Sequence, residues 1–104
     1  MSQVKLRTQH LLIDAALAAE VFGSSAQVHT VFYANQQSLL LAPMEDELFA
    51  KIHKTALQML KSRNLQGDKS ISLQELIIDH DLDDSDRDLA FSHQPGIQLL
   101  QVKF

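Results

Sequence analysis

The chain has 104 residues, of which 45% are hydrophobic and 21% are charged, and it contains no cysteine. This length is enough to bury the core of one domain, so we expect a single domain over residues 1–104. The lack of cysteine excludes disulfides, thiolate metal sites and a cysteine nucleophile, and it fits a reducing compartment such as the cytoplasm. The 9 Lys and Arg against 13 Asp and Glu give a net charge of −4, which disfavours nucleic-acid binding.

The N-terminal segment predicts a strand followed by a helix. Residues 3–8 alternate between polar and apolar side chains, which is the period of a half-buried strand. Along residues 9–22 the apolar side chains follow helical spacing, with Thr8 as the expected N-cap and Gly23 as the stop. Asp14 interrupts this apolar segment, which is also shorter than the roughly 20 residues of a membrane-spanning helix, so we expect no membrane contact.

The middle of the chain predicts a hairpin and a long helix. Residues 27–34 and 38–42 are rich in β-branched and large apolar side chains, and the polar residues 35–37 between them form the expected turn. Pro43 ends the second strand. Residues 45–63 are acidic at the start, basic at the end and carry an apolar stripe, a pattern that predicts one long helix.

The C-terminal third predicts short helices and a last strand. Ser72 and Glu75 have the spacing of a capping box that begins a helix. Residues 83–92 have the composition of another short helix, capped by an aspartate at its start. Residues 97–104 alternate again and predict the final strand.

The predicted order of the main elements is β-α-β-β-α-β, with a helical insertion at residues 64–95. This is the order of the ferredoxin-like fold. We therefore expect an α+β domain with a small antiparallel or mixed sheet of about four strands and helices packed on one face. The alternative is another α+β arrangement in which the N-terminal strand stays unpaired.

A dense acidic segment accounts for the net charge of the chain. Between Glu75 and Asp88, seven carboxylates stand against the single arginine Arg87. Burying unpaired carboxylates is too costly, so this segment must stay solvated, bind a cation or face a basic partner. Solvated aspartates that cap helices are the favoured interpretation.

Two sets of side chains are candidates for a divalent cation. Residues 64–75 resemble the EF-hand calcium loop, with Asp68 and Glu75 as anionic ligands, although Lys69 stands where that family has glycine. The resemblance implies calcium binding through this loop. A second set combines a histidine with nearby carboxylates, which suits divalent cations, and its members are Asp79, His80, Asp81, Asp83 and Asp84.

No catalytic motif is evident in the sequence. His10 and Asp14 are four residues apart on the predicted first helix and can pair on its polar side. Ser24 and Ser25 lie at the far end of that helix, and the three glycines are too scattered for a phosphate loop. We therefore expect no catalysis and no cofactor.

The sequence favours a small protein-interaction or structural domain that associates with a protein partner or with itself, a homodimer being the simplest form. The open face and edges of a four-stranded sheet are often paired in this way. A divalent-cation-binding protein that uses the acidic region 64–88 is the alternative. The apolar contacts expected in the interaction come from Phe32, Tyr33, Leu100 and Phe104, and the charged contacts from Asp83, Asp84, Asp86 and Asp88.

Overall fold

The computed structural model describes residues 3–53, 55–63, 67–94 and 96–104. These residues form ten strands and three helices, and all the strand pairs are antiparallel. In chain order the elements are β1 (Val4–Arg7), β2 (His10–Ile13), α1 (Ala15–Phe22), β3 (Gln27–Tyr33), β4 (Ser38–Pro43), α2 (Glu47–His53), β5 (Ala56–Met59), β6 (Lys61–Ser62), β7 (Lys69–Ser72), α3 (Gln74–His80), β8 (Arg87–Asp88), β9 (Ala90–Ser92) and β10 (Leu100–Lys103).

The strands belong to two five-stranded sheets, ordered β6-β7-β2-β1-β8 and β5-β3-β4-β10-β9. The chain passes from one sheet into the other after β5 and again after β8, with a single residue at each bend. These residues, Leu60 and Leu89, stay paired, because their backbone N–H groups donate to the carbonyls of Ala26 and Val4 at 2.9 Å. With β5–β6 and β8–β9 each counted as one bent strand, the ten strands close into a ring of eight.

The hydrophobic core fills the inside of this ring. Alternate strand residues point inward, and Val4, Leu6, Leu100 and Val102 are all at most 2% exposed. One side of α1 packs into the same cluster through Leu17, Ala18, Val21 and Phe22. The radius of gyration of 12.6 Å is that of a compact chain, for which roughly 13 Å is typical at 100 residues.

The first predicted helix is wrong in its N-terminal half. His10–Ile13 form β2, which pairs with β1 on one side and with β7 on the other. The helix begins only at Ala15, and its N-cap is Asp14 instead of Thr8. Thr8 and Gln9 instead form the hairpin turn between β1 and β2, with φ of 49° and 64°, as in a type I′ turn.

The long helix predicted over residues 45–63 is also wrong. The helix α2 ends at His53, and the chain then extends into β5 and β6. Strand formation wins here because β3 offers backbone partners along its free side, and the Thr30 hydroxyl donates to the Ala56 carbonyl at 3.3 Å. Lys54 lies outside the described residues.

The remaining predictions are confirmed in part. The strand at the N-terminus, the hairpin of β3 and β4, the helix α3 and the last strand all form. The capping box predicted at Ser72 and Glu75 is wrong, because the N-cap of α3 is Leu73 and no side chain caps the helix there. Residues 83–92, by contrast, are extended and contain β8 and β9 instead of a helix. The α+β class is therefore confirmed, whereas a ferredoxin-like order and a sheet of four strands are not. None of the helices in the described part of the chain is long and apolar enough to cross a membrane.

Candidate functional site

Four of the nine described residues of the segment that resembles a calcium loop form the strand β7. Residues 64–66 lie outside the described part of the chain, and Lys69–Ser72 pair with β2 along their whole length. Asp68 lies at the start of α1, where its Oδ1 accepts a hydrogen bond from the backbone N of Ala15 at 2.7 Å. Lys5 and Arg63 line the same small depression. The described residues of this segment therefore do not have the curled shape that an EF-hand loop needs.

Two aspartates of the acidic segment hold the N-terminal hairpin. The backbone N of Thr8 donates to Asp86 Oδ1 at 2.9 Å, and Gln9 Nε2 donates to Asp84 Oδ2 at 3.3 Å. Both contacts lie on the two residues of the turn that have positive φ. The acidic segment thus has a structural role that its composition alone did not reveal.

Asp83 organises the segment locally. Its Oδ1 accepts from the backbone N of Ser85 at 3.0 Å, and Arg87 Nη1 lies 3.9 Å from its Oδ2. The Ser85 backbone bond, followed by the Ser85 hydroxyl, lowers the pKa of Asp83 below its ordinary value of 3.8, and the Arg87 charge acts in the same direction. Arg87 Nη1 also donates to the carbonyls of Asp83 and Ser85.

The predicted metal ligands do not converge. Across residues 3–53, 55–63, 67–94 and 96–104, no three histidine, aspartate or glutamate side chains are placed so as to hold a metal ion. Glu75, Asp79 and His80 lie along α3, whereas Asp81 is the C-cap of that helix with a left-handed backbone. Asp83 and Asp84 are engaged with Ser85 and Gln9. The structure therefore separates the second metal set into two groups.

Three of those residues do line a common cleft, which we call the α3 cleft. It lies between α3 and the inward face of β3 and β5, with a volume of about 250 Å³. Its apolar part includes the buried Leu39 and Leu73. Its remaining lining consists of Thr30, Val31, Phe32, Ala56, Gln58, Glu75, Leu76, Asp79 and His80.

The α3 cleft combines an apolar interior with an acidic rim. Glu75 and Asp79 are one turn apart on α3 and exposed, so they lie on the same side of the helix. The His80 ring packs on the Phe32 ring with 4.7 Å between centroids. No lysine or arginine is among the described residues of the lining. The cleft is therefore suited to an apolar group that carries a positive charge.

A second feature is a group of exposed apolar side chains, which we call the apolar surface. It supplies five of the seven large hydrophobic side chains that are exposed among the described residues. Leu48 and Ile52 lie one turn apart on α2 and are 68% and 64% exposed. The apolar surface consists of Met44, Leu48, Ile52, Leu57 and Met59.

Backbone pairing brings the rest of the apolar surface together beside β3. Leu57 and Met59 of β5 lie opposite His29 and Gln27 of β3. The backbone N of Met44 donates to the Gln27 carbonyl at 3.2 Å, so Met44 adjoins the same two positions. His29 also contacts the chain on both sides of α2. Its Nε2 is hydrogen-bonded to the Met44 carbonyl before the helix, and its Nδ1 is hydrogen-bonded to the Thr55 hydroxyl after it, each at 3.0 Å.

Sequence reasoning missed the apolar surface because it assigned Leu48, Ile52 and Met59 to the buried stripe of one long helix. The exposed positions on α2 are four residues apart, which is the same spacing that a buried stripe would have. The pattern alone therefore could not tell a core face from an exposed one. A strand beginning after His53 was the missing information.

The residues predicted to make apolar contacts have mostly structural positions. Leu100 is fully buried inside the ring. Phe104 and Phe32 pack against the core and meet edge to face, with centroids 5.9 Å apart. The Tyr33 hydroxyl is hydrogen-bonded to His53 Nδ1 on α2. Only Phe32 of these four also lines the α3 cleft.

The possible catalytic pair is not formed. His10 Nδ1 is within 2.9 Å of the Thr8 carbonyl, and the Asp14 carboxylate accepts from the backbone N of Gln3 and of Leu17. The pair was predicted on one helix face, but His10 begins a strand and Asp14 follows it. Four residues of strand separate two positions by roughly 13 Å.

No protein-family model, curated protein or solved structure matches this chain.

Proposed function

We propose that this protein is an interaction domain that associates with a second copy of itself through the apolar surface. The observation that carries the proposal is the concentration of exposed large hydrophobic side chains between Met44 and Met59. Met44, Leu57 and Met59 adjoin one another beside β3, and contiguous exposed apolar groups mark interaction sites on soluble proteins. Burying one such side chain contributes roughly 1.5–3 kcal/mol, so covering the group by pairing is favourable.

The charges around the apolar surface support a second copy as the partner. Glu45 and Glu47 are exposed beside it, and so are Lys51 and Lys61. In a two-fold dimer the apolar surface of one copy contacts the same surface of the other copy. Positive and negative side chains around that surface can therefore pair across the interface. Contact through side chains also fits the closed ring of strands, because closure removes the long free edges through which sheets otherwise pair.

Two further parts of the proposal come from the sequence. The chain lacks cysteine, which fits the cytoplasm as the place where the protein acts. The exposed carboxylates of residues 83–88 would speed encounter with a basic partner more than they would strengthen binding. Catalysis is not part of the proposal.

Light scattering coupled to size-exclusion chromatography tests the association with a matched pair of variants. Ile52→Ser changes a residue of the apolar surface that is 64% exposed, and Ile78→Ser changes a residue on α3 that is 67% exposed. We expect a mass above 11.7 kDa at high concentration for the unchanged protein and for Ile78→Ser. Ile52→Ser should weaken dimerisation by about tenfold or more, because it removes an apolar group from each side of the interface.

The proposal would be wrong if the unchanged protein remained a monomer at every concentration. Equal weakening by the two variants would also contradict it, because the effect would then not be specific to the apolar surface.

A further inference from the structure

From the shape and charge of the α3 cleft we infer that it binds one lysine or arginine side chain presented by a partner protein. The cleft is separate from the apolar surface, since successive residues of β5 point to opposite faces. Ala56 and Gln58 line the cleft, whereas Leu57 and Met59 belong to the apolar surface. The inference therefore does not rest on self-association.

The size of the cleft indicates a side chain as its occupant. Its volume of about 250 Å³ is below the roughly 300 Å³ at which pockets for drug-sized ligands begin. Leu39, Leu73 and Leu76 supply apolar walls against which a methylene chain can pack. Lysine and arginine bury such a stem while their charged ends stay near water.

The rim supplies the charge that this side chain needs. Glu75 and Asp79 are both exposed on the same side of α3. In the part of the lining that the structure describes, no lysine or arginine opposes them. A lysine or arginine whose stem enters the cleft would place its charged end beside two carboxylates, each able to accept charge-assisted hydrogen bonds.

Phe32 adds aromatic surface to the wall of the cleft. Its ring is half-buried and forms part of the wall, beside the ring of His80. A metal ion fits the cleft less well, since the described residues hold no group of three suitable ligands and apolar side chains form much of the lining.

Nuclear magnetic resonance titration of the ¹⁵N-labelled full chain tests this inference directly. The probes are capped five-residue peptides, Gly-Gly-X-Gly-Gly, in which X is lysine, arginine, acetyl-lysine or norleucine. The lysine and arginine peptides should shift the amide signals of Phe32, Glu75 and Asp79, with a dissociation constant on the order of 1 mM. The neutral peptides should bind at least about fivefold more weakly, because they lack the charge that meets the rim.

Two double variants separate the cleft from the general negative charge. Glu75→Gln with Asp79→Asn removes two charges from the rim and should weaken the lysine peptide by roughly fivefold or more. Asp84→Asn with Asp88→Asn removes the same charge from the acidic segment and should leave the affinity within about twofold. Ala56→Leu, which places a larger side chain on the cleft wall, should also reduce binding without changing the charge.

Three results would overturn the inference. One is the absence of amide shifts at the cleft with about 10 mM lysine peptide, well above the expected dissociation constant. Another is equal binding of the acetyl-lysine peptide. The third is equal weakening by the two double variants, which would assign the attraction to net charge. The amide spectrum of each variant also shows whether it is folded, so a loss of binding through unfolding is recognised.

Discussion

At the scale of single residues, the hairpin turn at Thr8–Gln9 shows how tertiary contacts can impose an unfavourable backbone. Both residues have positive φ, at 49° and 64°, where turns of this type normally use asparagine or glycine. A left-handed conformation costs a β-branched residue such as threonine roughly 1–2 kcal/mol. The hydrogen bonds that this turn donates to Asp86 and Asp84 help to offset that cost.

Thr8→Gly should therefore stabilise the protein. Glycine adopts positive φ without strain and keeps the backbone N–H that donates to Asp86. We expect the free energy of unfolding to rise by about 1 kcal/mol in urea denaturation. Lys103→Gly, in the ordinary extended backbone of β10, is the control and should lower it. A decrease for Thr8→Gly would show that the turn is not strained.

Glu45 provides a pH-dependent contact between two loops. The hydroxyl of the buried Ser25 donates to Glu45 Oε2 at 2.5 Å. This bond, followed by one from the backbone of Glu45 itself, lowers the pKa of Glu45 below its ordinary value of 4.5. Because the folded state holds the proton less tightly, the contact contributes its full stability above pH 4.5 and loses it as the pH falls through the lowered folded pKa.

Glu45→Gln should show this linkage in thermal melts. The variant should melt below the unchanged protein near pH 6, and the difference should shrink as the pH falls below 4.5 and through the lowered pKa of Glu45. Glu47→Gln, which changes a neighbouring carboxylate that begins α2, is the control and should not reproduce this dependence. A constant difference across the range would mean that the Ser25 contact does not stabilise the charged form.

At the scale of elements, the bent strands decide the architecture. Leu60 and Leu89 are buried at the two points where the chain leaves one sheet for the other. Each side chain can reach the shared core because the strand bends there and both neighbouring strand segments remain paired. Shortening either side chain would remove the packing between that bend and the core.

Leu89→Ala should lower the free energy of unfolding by about 2–5 kcal/mol, since it leaves a cavity where the two sheets meet. Ile78→Ala changes a residue that is 67% exposed and should alter it by less than about 0.5 kcal/mol. Urea denaturation at low protein concentration measures both. If both variants changed the free energy of unfolding by a similarly small amount, the Leu89 side chain would not be part of the packed core.

The failed element predictions share a physical cause. Residues 10–13 and 56–59 have apolar spacing that fits a helix, and their extended form depends on partners distant in sequence. His10–Ile13 pairs with β7, and Ala56–Met59 pairs with β3. Local propensity is weak against a full set of interstrand bonds, so tertiary pairing overrides it. The hairpin of β3 and β4 was predictable because its two strands are neighbours in sequence.

At the scale of the whole molecule, the α+β class could be predicted from the sequence, whereas the closure of the strands into a ring could not. Alternation in β1 and β10 identified Val4, Leu6, Leu100 and Val102 as one side of their strands, and the structure buries all four. Closure depends on two bends at single leucines, for which the sequence carries no glycine or proline signal. The apolar surface was hidden for the same reason, because its exposure follows from the end of α2.

The sequence identified several residues of the α3 cleft as candidates, but it did not predict that they lie together. Glu75, Asp79, His80 and Phe32 were each singled out in the sequence, the first three for a metal and the last for an apolar contact. Their common location arises because α3 lies against the inward face of β3. Glu75 and Asp79 share one side of α3 because they are four residues apart, but nothing in the sequence placed Phe32 opposite them.

The most direct test of the central claim is a concentration series followed by the methyl signals of Met44 and Met59, both of which belong to the apolar surface. With ¹³C-methyl methionine, each signal can be assigned by a Met→Leu variant. We predict that both signals shift together as concentration rises and that their midpoint agrees with the doubling of mass seen by light scattering. A doubling of mass without movement of either signal would contradict the account, because the copies would then meet through another surface.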